Sequence, residues 1–286
     1  MQKVCIVGDI LIDLDKGWAE PFHDGDSVII WKYHDFETGE ETILEPGKGV
    51  ITDITVFNEM ENLKELYLFA QPLENINGIQ NLSNLECLQL KYCTDLTDVS
   101  AAFACQQLQS INLYGCPVGS IRGVQNLPNL TDLTISETKV TDISPLKDVN
   151  YTYANEHGGF SLYLGATGIE DFSPLACVPV FASLEVNNND AVLFVKHLKG
   201  VEIRRITACD CFMGRQGEDP NALLAEFIKD HPEIIDLCIS WNNGLTDLTP
   251  VITLKNLERF RVSFDMEEAV LSLEGKEYGF EIEIEQ

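Results

Sequence analysis

The sequence of 286 residues predicts an α/β fold: a solenoid whose coils each lay one strand into a curved parallel β-sheet, with small β-rich caps at both ends. Three observations carry that expectation. The spelling L-x-x-L-x-L returns at Leu63, Leu66, Leu68; Leu85, Leu88, Leu90; Leu108, Ile111, Leu113; and Leu130, Leu133, Ile135. The middle apolar residue of each strand then runs through positions 66, 88, 111, 133, 162, 184, 201, 237 and 260, at spacings of 22, 23, 22, 29, 22, 17, 36 and 23. Finally, the slot three residues past the second inward position holds Gln71, Cys93, Cys116, Thr138, Thr167, Asn189 and Asn242, all small or polar.

A unit of about 20 to 29 residues carrying L-x-x-L-x-L followed by Asn or Cys is the leucine-rich-repeat signature. In each strand the apolar residues at i and i+2 face inward and their neighbours face out, so stacked coils bury one face and expose the other. Where the chain leaves the strand, the polar slot turns into the core and bonds backbone groups that the turn would orphan. Cys93 and Cys116 are therefore architectural, since a thiol tolerates burial and hydrogen-bonds weakly.

Residues 1–50 do not repeat and are expected to form a β-rich N-terminal cap hiding the open edge of the first coil. Strands are expected over Val4–Leu14, Ser27–Tyr33 and Glu41–Leu44, with turns at Asp24-Gly25-Asp26 and Pro46-Gly47. Trp18 and Trp31 are packing residues of that cap. The solenoid proper spans 51–265 and opens with a half repeat, Ile51-Thr52-Asp53-Ile54-Thr55.

Two steps exceed the period and are insertions. Asp148–Gly159, rich in Tyr, Asn and Gly, reads as a loop. Asp210–His231 contains Pro220–Lys229, with apolar residues at 223, 224, 227 and 228 and Pro at its start, and reads as an amphipathic helix. Residues 266–286 are expected to close the array as a β-hairpin of Ala269–Leu273 and Phe280–Ile284, with Glu281, Glu283 and Glu285 protecting its edge.

The return legs Val140-Thr141-Asp142-Ile143-Ser144-Pro145-Leu146, Ile169-Glu170-Asp171-Phe172-Ser173-Pro174-Leu175 and Leu245-Thr246-Asp247-Leu248-Thr249-Pro250-Val251 share one pattern. Ser or Thr before Pro starts a short helical turn, the hydroxyl capping it and Pro fitting its first position. These legs resemble those of bacterial internalin-type leucine-rich repeats, over roughly 51–265. The resemblance implies a curved array whose strand face binds a protein; separately, no motif in the sequence calls for a cofactor.

The balance of 46 acidic against 19 basic residues gives a net charge of -27, a field that repels phosphate backbones and anionic lipid. Neither nucleic acid nor membrane is an expected partner. The field either steers a basic protein partner or simply keeps the array soluble. Met1–Leu14 does not read as a secretory signal, and no run reaches the roughly 20 apolar residues that cross a bilayer. Nine cysteines, odd in number and mostly within the repeats, suit a reducing cytoplasm and are expected to be unbridged.

Cys209-x-Cys211 with His231 and Cys238 is the best metal-ligand set, but a single residue between two thiols is a weak zinc spacing. Asp9, Asp13 and Asp15 lack the spacing and glycine of a calcium loop. No phosphate loop or nucleophile elbow occurs, so no catalytic residue is assigned. The outward strand positions carry the better signal. A protein-binding face is expected from Tyr67, Phe69, Gln89, Lys91, Asn112, Tyr114, Thr134, Tyr163, Glu185 and Arg204, aromatics interleaved with polar groups. The expected function is non-catalytic protein binding in a bacterial cytoplasm, in a narrower version neutralising a basic toxin as an immunity protein would. The rival is an enzyme or metal site in 1–50 or 210–231.

Overall fold

The computed structural model describes residues 2–23 and 29–285, and the expected turn at Asp24-Gly25-Asp26 lies outside them, as does the start of the strand expected from Ser27. The strands in chain order are β1 (Lys3–Val7), β2 (Ile10–Ile12), β3 (Gly17–His23), β4 (Ile29–Asp35), β5 (Glu41–Leu44), β6 (Glu65–Phe69), β7 (Cys87–Gln89) and β8 (Ser110–Asn112). They continue as β9 (Asp132–Thr134), β10 (Phe160–Tyr163), β11 (Val180–Glu185), β12 (Glu202–Ile203), β13 (Arg205–Thr207), β14 (Asp236–Cys238), β15 (Arg259–Ser263) and β16 (Glu281–Glu285). From β6 to β16 these form one parallel sheet in sequence order, with Leu66, Leu88, Ile111, Leu133 and Leu162 in register. One apolar core runs beneath it from Val4 to Phe280.

Nine coils, from β1 to β14, leave their strands through one residue in the left-handed region, whereas β15 runs directly into a 3-10 turn. These are Gly8, Ala70, Tyr92, Gly115, Glu137, Ala166, Asn188, Asp210 and Trp241, with φ between 52° and 68°. Seven of the nine carry a side chain, at about 1 kcal/mol each. What holds them there is pairing: the N–H groups of Ala70, Tyr92, Glu137 and Ala166 donate to the carbonyls of Lys91, Tyr114, Gly165 and Asn187 in the next coil, at 2.9, 2.9, 2.9 and 2.8 Å.

Directly beneath the turn sits the polar ladder. Cys93 Sγ donates to the Leu68 carbonyl (3.4 Å), Cys116 Sγ to that of Leu90, and Thr138 and Thr167 to those of Ile135 and Leu164. Asn242 is the most heavily used rung. Its Nδ2 donates to the carbonyls of Ala208 and Ile239, and its Oδ1 accepts from the N–H groups of Cys211 and Phe212.

The strand expected at Val201 is displaced. Leu184 pairs with Ile206 and Ile206 with Leu237, so the steps of 17 and 36 become 22 and 31. Val201-x-Ile203 and Ile206-x-Ala208 both alternate, and the first pair is only the entry to the strand, where β12 meets the start of β11. The correction exposes a rung that the shifted register hid: Cys211 is buried and donates to the Val186 carbonyl at 3.1 Å.

The N-terminal segment is not a separate cap on the edge. β1 pairs in parallel with β6, Val4 against Leu66 and Ile6 against Leu68, and Gly8 makes the same left-handed turn as the coils of β6 to β14. The half repeat at 51–55 is therefore the return leg of a coil whose strand lies some 45 residues earlier. The single strand expected over Val4–Leu14 breaks at Gly8-Asp9 into β1 and β2, which pair antiparallel and put β2 at the sheet's end. The remaining strands, β3 to β5, form a second, antiparallel sheet.

Helices differ from expectation in three places. The supposed loop 148–159 contains α1 (Thr152–Glu156), anchored by Tyr151, whose buried hydroxyl donates to the Leu146 carbonyl at 2.8 Å. An unexpected helix, α2 (Ala191–Leu198), is capped by Asp190 and buries Ala191, Phe194, Val195 and Leu198. The expected helix is α3 (Pro220–Asp230), capped by Asp219. At the C-terminus there is no hairpin: Ala269 begins no strand but lies in α4 (Glu267–Leu271), and β16 runs parallel to β15 as one more coil strand. A helix between two strands brings the chain back to the same end of the sheet, which makes the pairing parallel.

The return legs form 3-10 turns, yet the hydroxyls are not the caps. Asp98, Asp142, Asp171 and Asp247 accept from the N–H two residues on, at 2.8 to 2.9 Å. Hydrogen bonds from Ser144 and Ser173 hold the carboxyls of Asp142 and Asp171 below the usual range.

Two substitution pairs test this register. Leu88→Ala should destabilise by about 2 to 5 kcal/mol and Gln89→Ala by under about 0.5, because only Leu88 is in the core. Likewise Asn242→Ala should cost about 2 kcal/mol or more through orphaned backbone groups, while exposed Asn243→Ala should stay within about 0.5. Denaturant unfolding decides both; equal losses within either pair would contradict the assignment of inward and outward positions.

Candidate functional site

The outward strand face divides into three zones with different chemistry. The first, over β1, β6 and β7, is covered by the chain's own β3–β5 sheet. A second apolar cluster fills the gap: Cys5, Val7, Ile12, Ala19, Trp31, Phe69 and Tyr92, with Trp18, Tyr67 and Tyr114 at its margin. Trp31 stacks on Phe69 at 5.1 Å between centroids and meets Tyr92 edge-on, while Trp18 sits edge-on to Tyr67 at 5.3 Å. Aromatic pairs of this geometry add about 0.5–1.5 kcal/mol each beyond burial.

This overturns the exposure expected for the first part of the binding face. Phe69 is fully buried, Tyr67 is half-buried and donates to Glu65 Oε2 (2.7 Å), and Lys91 is tucked 5.5 Å from the Phe69 ring centroid. Burial pushes the Lys91 ammonium below its ordinary pKa. The outward aromatics at 67 and 69 do have a core to enter, built by Trp18 and Trp31.

The last zone, over β13 to β16, is neutralised from within. Asp236 lies 2.9 Å from Arg261 and 3.6 Å from Arg259; Glu283 pairs with Arg259 and Glu285 with Arg261. Arg204 does not belong to this face. It sits at the strand-entry rim, where it donates to the Gly158 carbonyl at 2.8 Å and pairs with Glu202; the outward residues there are Arg205 and Thr207. The register slip of the Val201 strand is the reason for the misplacement.

Between these zones lies an open depression of about 350 Å³ over β7 to β11, lined by Gln89, Ser110, Asn112, Tyr114, Asp132, Thr134, Ser136, Tyr163 and Glu185. The structure thus brings Gln89, Asn112, Tyr114, Thr134, Tyr163 and Glu185 together. It adds Ser110, Asp132 and Ser136, which share the same outward alternation.

The electrostatics of this depression are one-sided. Asp132 Oδ2 accepts from Thr131 Oγ1 (2.6 Å), Glu185 Oε1 from Ser136 Oγ (3.1 Å), and Glu137 Oε1 from the Tyr114 hydroxyl (2.6 Å). Among the described residues none of the three carboxylates has a Lys, Arg or His ion-pair partner. Burial pushes the Glu185 carboxyl above its ordinary pKa, the Ser136 bond opposes the rise, and Glu137 adds to it. Burial also raises the Tyr114 hydroxyl, which stays a donor at neutral pH. The result is a hydrogen-bonded rim of fixed acceptors around an unneutralised carboxylate.

The metal-ligand set expected from sequence is taken apart. Cys211 turns into the core, and His231 is buried against the Phe227 ring, 4.5 Å between centroids. Cys209 and Cys238 alone come together on the strand face. Among the described residues, no group of three or more His, Cys, Asp or Glu side chains could hold a metal ion.

The sequence matches no protein-family model and no curated protein. Solved structures are similar. Internalin InlF of Listeria monocytogenes is 22% identical with a TM-score of 0.51, over 84% of this chain and 75% of its own. Internalin C2 of the same organism is 22% identical (TM-score 0.47; 74% and 76% covered), and a leucine-rich-repeat protein of Leptospira interrogans 16% identical (TM-score 0.44; 83% and 77%). At such identity the likeness to InlF establishes the fold alone, a leucine-rich-repeat solenoid.

If the β3–β5 sheet is held on the face by the Trp31 stack, Trp31→Ala should cost that sheet about 3–5 kcal/mol. Amide exchange should then accelerate across residues 17–44 while β8 to β15 keep their protection. Uniform acceleration, or none, would contradict a locally docked sheet.

Proposed function

We propose that this chain is a non-catalytic protein-binding scaffold whose depression over β7 to β11 receives a cationic side chain, Lys or Arg, from its partner. The observation that carries the reading is Glu185. A largely buried carboxylate that has, among the described residues, one hydroxyl donor, a second carboxylate nearby and no cation partner is an unfavourable arrangement in isolation. A guanidinium or ammonium arriving from outside would supply the missing charge, with Asp132 and Glu137 as further acceptors.

Tyr163 and Tyr114 flank the same depression and offer rings for the aliphatic stem of such a side chain. The net charge of -27 supports the same polarity at long range, raising the rate at which a basic partner arrives. A repeat scaffold presents side chains on a stiff surface and needs no reaction to act, so occlusion of a basic toxin, as by an immunity protein, is the narrower form of this proposal. With nine free thiols the reading places the protein in a reducing compartment, the bacterial cytoplasm.

The test is kinetic, on a partner recovered with the wild-type protein as bait. Glu185→Gln with Tyr163→Ala should speed dissociation at a total loss of about 2–4 kcal/mol. Raising salt from low to physiological should slow association about tenfold and leave dissociation nearly unchanged. Affinity should also fall as pH drops through the raised Glu185 pKa, because the protonated carboxyl offers no charge. An acidic partner, or a complex that ignores both substitutions and instead protects 17–44 or 210–231, would move the site elsewhere.

A further inference from the structure

The turn after β14 departs from the other eight. Where those hold the left-handed residue by a carbonyl of the next coil, Trp241 donates its N–H to a side chain, the Ser263 hydroxyl, at 2.6 Å. Ser263 Oγ in turn donates to Asp265 Oδ1 at 2.5 Å. A bulky residue at φ 57° is uncommon and is held there against strain. Tyr92 is the other aromatic residue in such a turn, and burial offsets its strain: it meets Trp31 edge-on beneath the β3–β5 sheet and is only 8% exposed. No such cover lies over Trp241 among the described residues. It is 43% exposed, and Phe264, the residue after Ser263, is 64% exposed.

This turn position borders the outward face. Glu137, which occupies it one coil further on from Gly115, accepts from the Tyr114 hydroxyl, and Tyr92, which occupies it after β7, meets the Tyr114 ring edge-on at 5.3 Å. Trp241 thus stands at the exit rim of β14, one residue past Ser240, whose hydroxyl donates to Glu285 Oε2. Two carboxylates therefore adjoin the turn, Glu285 on the face and Asp265 beyond it. Glu285 faces Arg261 at 3.8 Å, whereas among the described residues Asp265 has no Lys, Arg or His ion-pair partner.

We propose that Trp241, with Phe264 beside it, is a second anchor for the protein partner, and that the side chain it receives is an arginine. The proposal rests on the reading that the partner is basic, but its site is separate, on the exit rim of β14 rather than in the depression over β7 to β11. An indole face attracts a cation through its ring quadrupole, more strongly than the ring of Tyr or Phe does. A guanidinium is planar, so it stacks on that face and still presents N–H groups at its edge, for which Asp265 is the acceptor. The carboxylate also decides between occupants, since an apolar side chain laid on these rings would take water from Asp265 and give it no partner. In the sheet β14 lies two strand steps from β11, about 10 Å, so one partner surface spans both sites.

The experiment follows the indole N–H signals of the three tryptophans by nitrogen-15 NMR in the full-length protein, with Trp241 assigned through Trp241→Phe. The probe is hexa-arginine, and the control is hexa-citrulline, whose urea groups have nearly the guanidinium shape and no charge. Hexa-arginine should shift the Trp241 signal saturably and leave those of Trp18 and Trp31, packed on Tyr67 and Phe69, in place. Asp265→Asn, which keeps an acceptor for Ser263, should weaken that response about threefold. Glu185→Gln should leave it unchanged while lowering the total affinity for the peptide in calorimetry. A Trp241 signal that stays put, that hexa-citrulline moves equally, or that Glu185→Gln silences would overturn the rim anchor and leave the Glu185 reading standing. A saturable Trp241 shift together with a calorimetric affinity indifferent to Glu185→Gln would support the anchor and remove the depression instead.

Discussion

The structure depends on one recurrent constraint, the turn by which each coil leaves its strand. Nine residues occupy the left-handed region at equivalent positions; eight of their amides donate to the next coil's carbonyls and the ninth, that of Trp241, to the Ser263 hydroxyl. The polar rung beneath each turn satisfies the carbonyls left over. Buried backbone groups without partners are costly, so the turn and its rung together set the register of every strand. The inward leucines already oppose a one-residue slip, which would turn them outward; a slip of two keeps them inward, and it is the turns that exclude it.

The same constraint explains what was legible in the sequence. Where Leu-x-Leu was followed by a rung at the right distance, as at Cys93, Cys116 and Thr138, strand, face and ladder could all be read. Where two alternating pairs competed, at Val201-x-Ile203 and Ile206-x-Ala208, the expected strand took the earlier one at a step of 17, although the 22-residue period points to the later. Attention to the rung would have chosen the later, because Cys211 stands three residues after Ala208. The helix α2 had its signal too: Asp190 precedes apolar residues at 191, 194, 195 and 198, a helical spacing. By contrast, β1 could not be matched to its return leg, since a whole antiparallel sheet interrupts the coil.

That interruption shapes the face. Strand alternation places Tyr67 and Phe69 outward, and nothing local says what will cover them. Their partners Trp18 and Trp31 lie some 40 to 50 residues earlier, so their burial is a tertiary fact that periodicity cannot carry. The middle of the face was legible, because Asn112, Thr134, Tyr163 and Glu185 follow from alternation alone. Its emptiness of cations was not, as it depends on Lys91 being drawn under the N-terminal sheet and on Arg259 and Arg261 being spent on Asp236, Glu283 and Glu285.

The account therefore rests on the charge state of one side chain in that gap. The most direct measurement is a carbon-13 NMR titration of the Glu185 carboxyl, free and with partner bound. In the free protein its pKa should lie above the ordinary glutamate value of about 4.3, and it should fall when the partner's cation arrives. An ordinary value in the free protein, or one that does not move on binding, would contradict the claim that Glu185 awaits a cation.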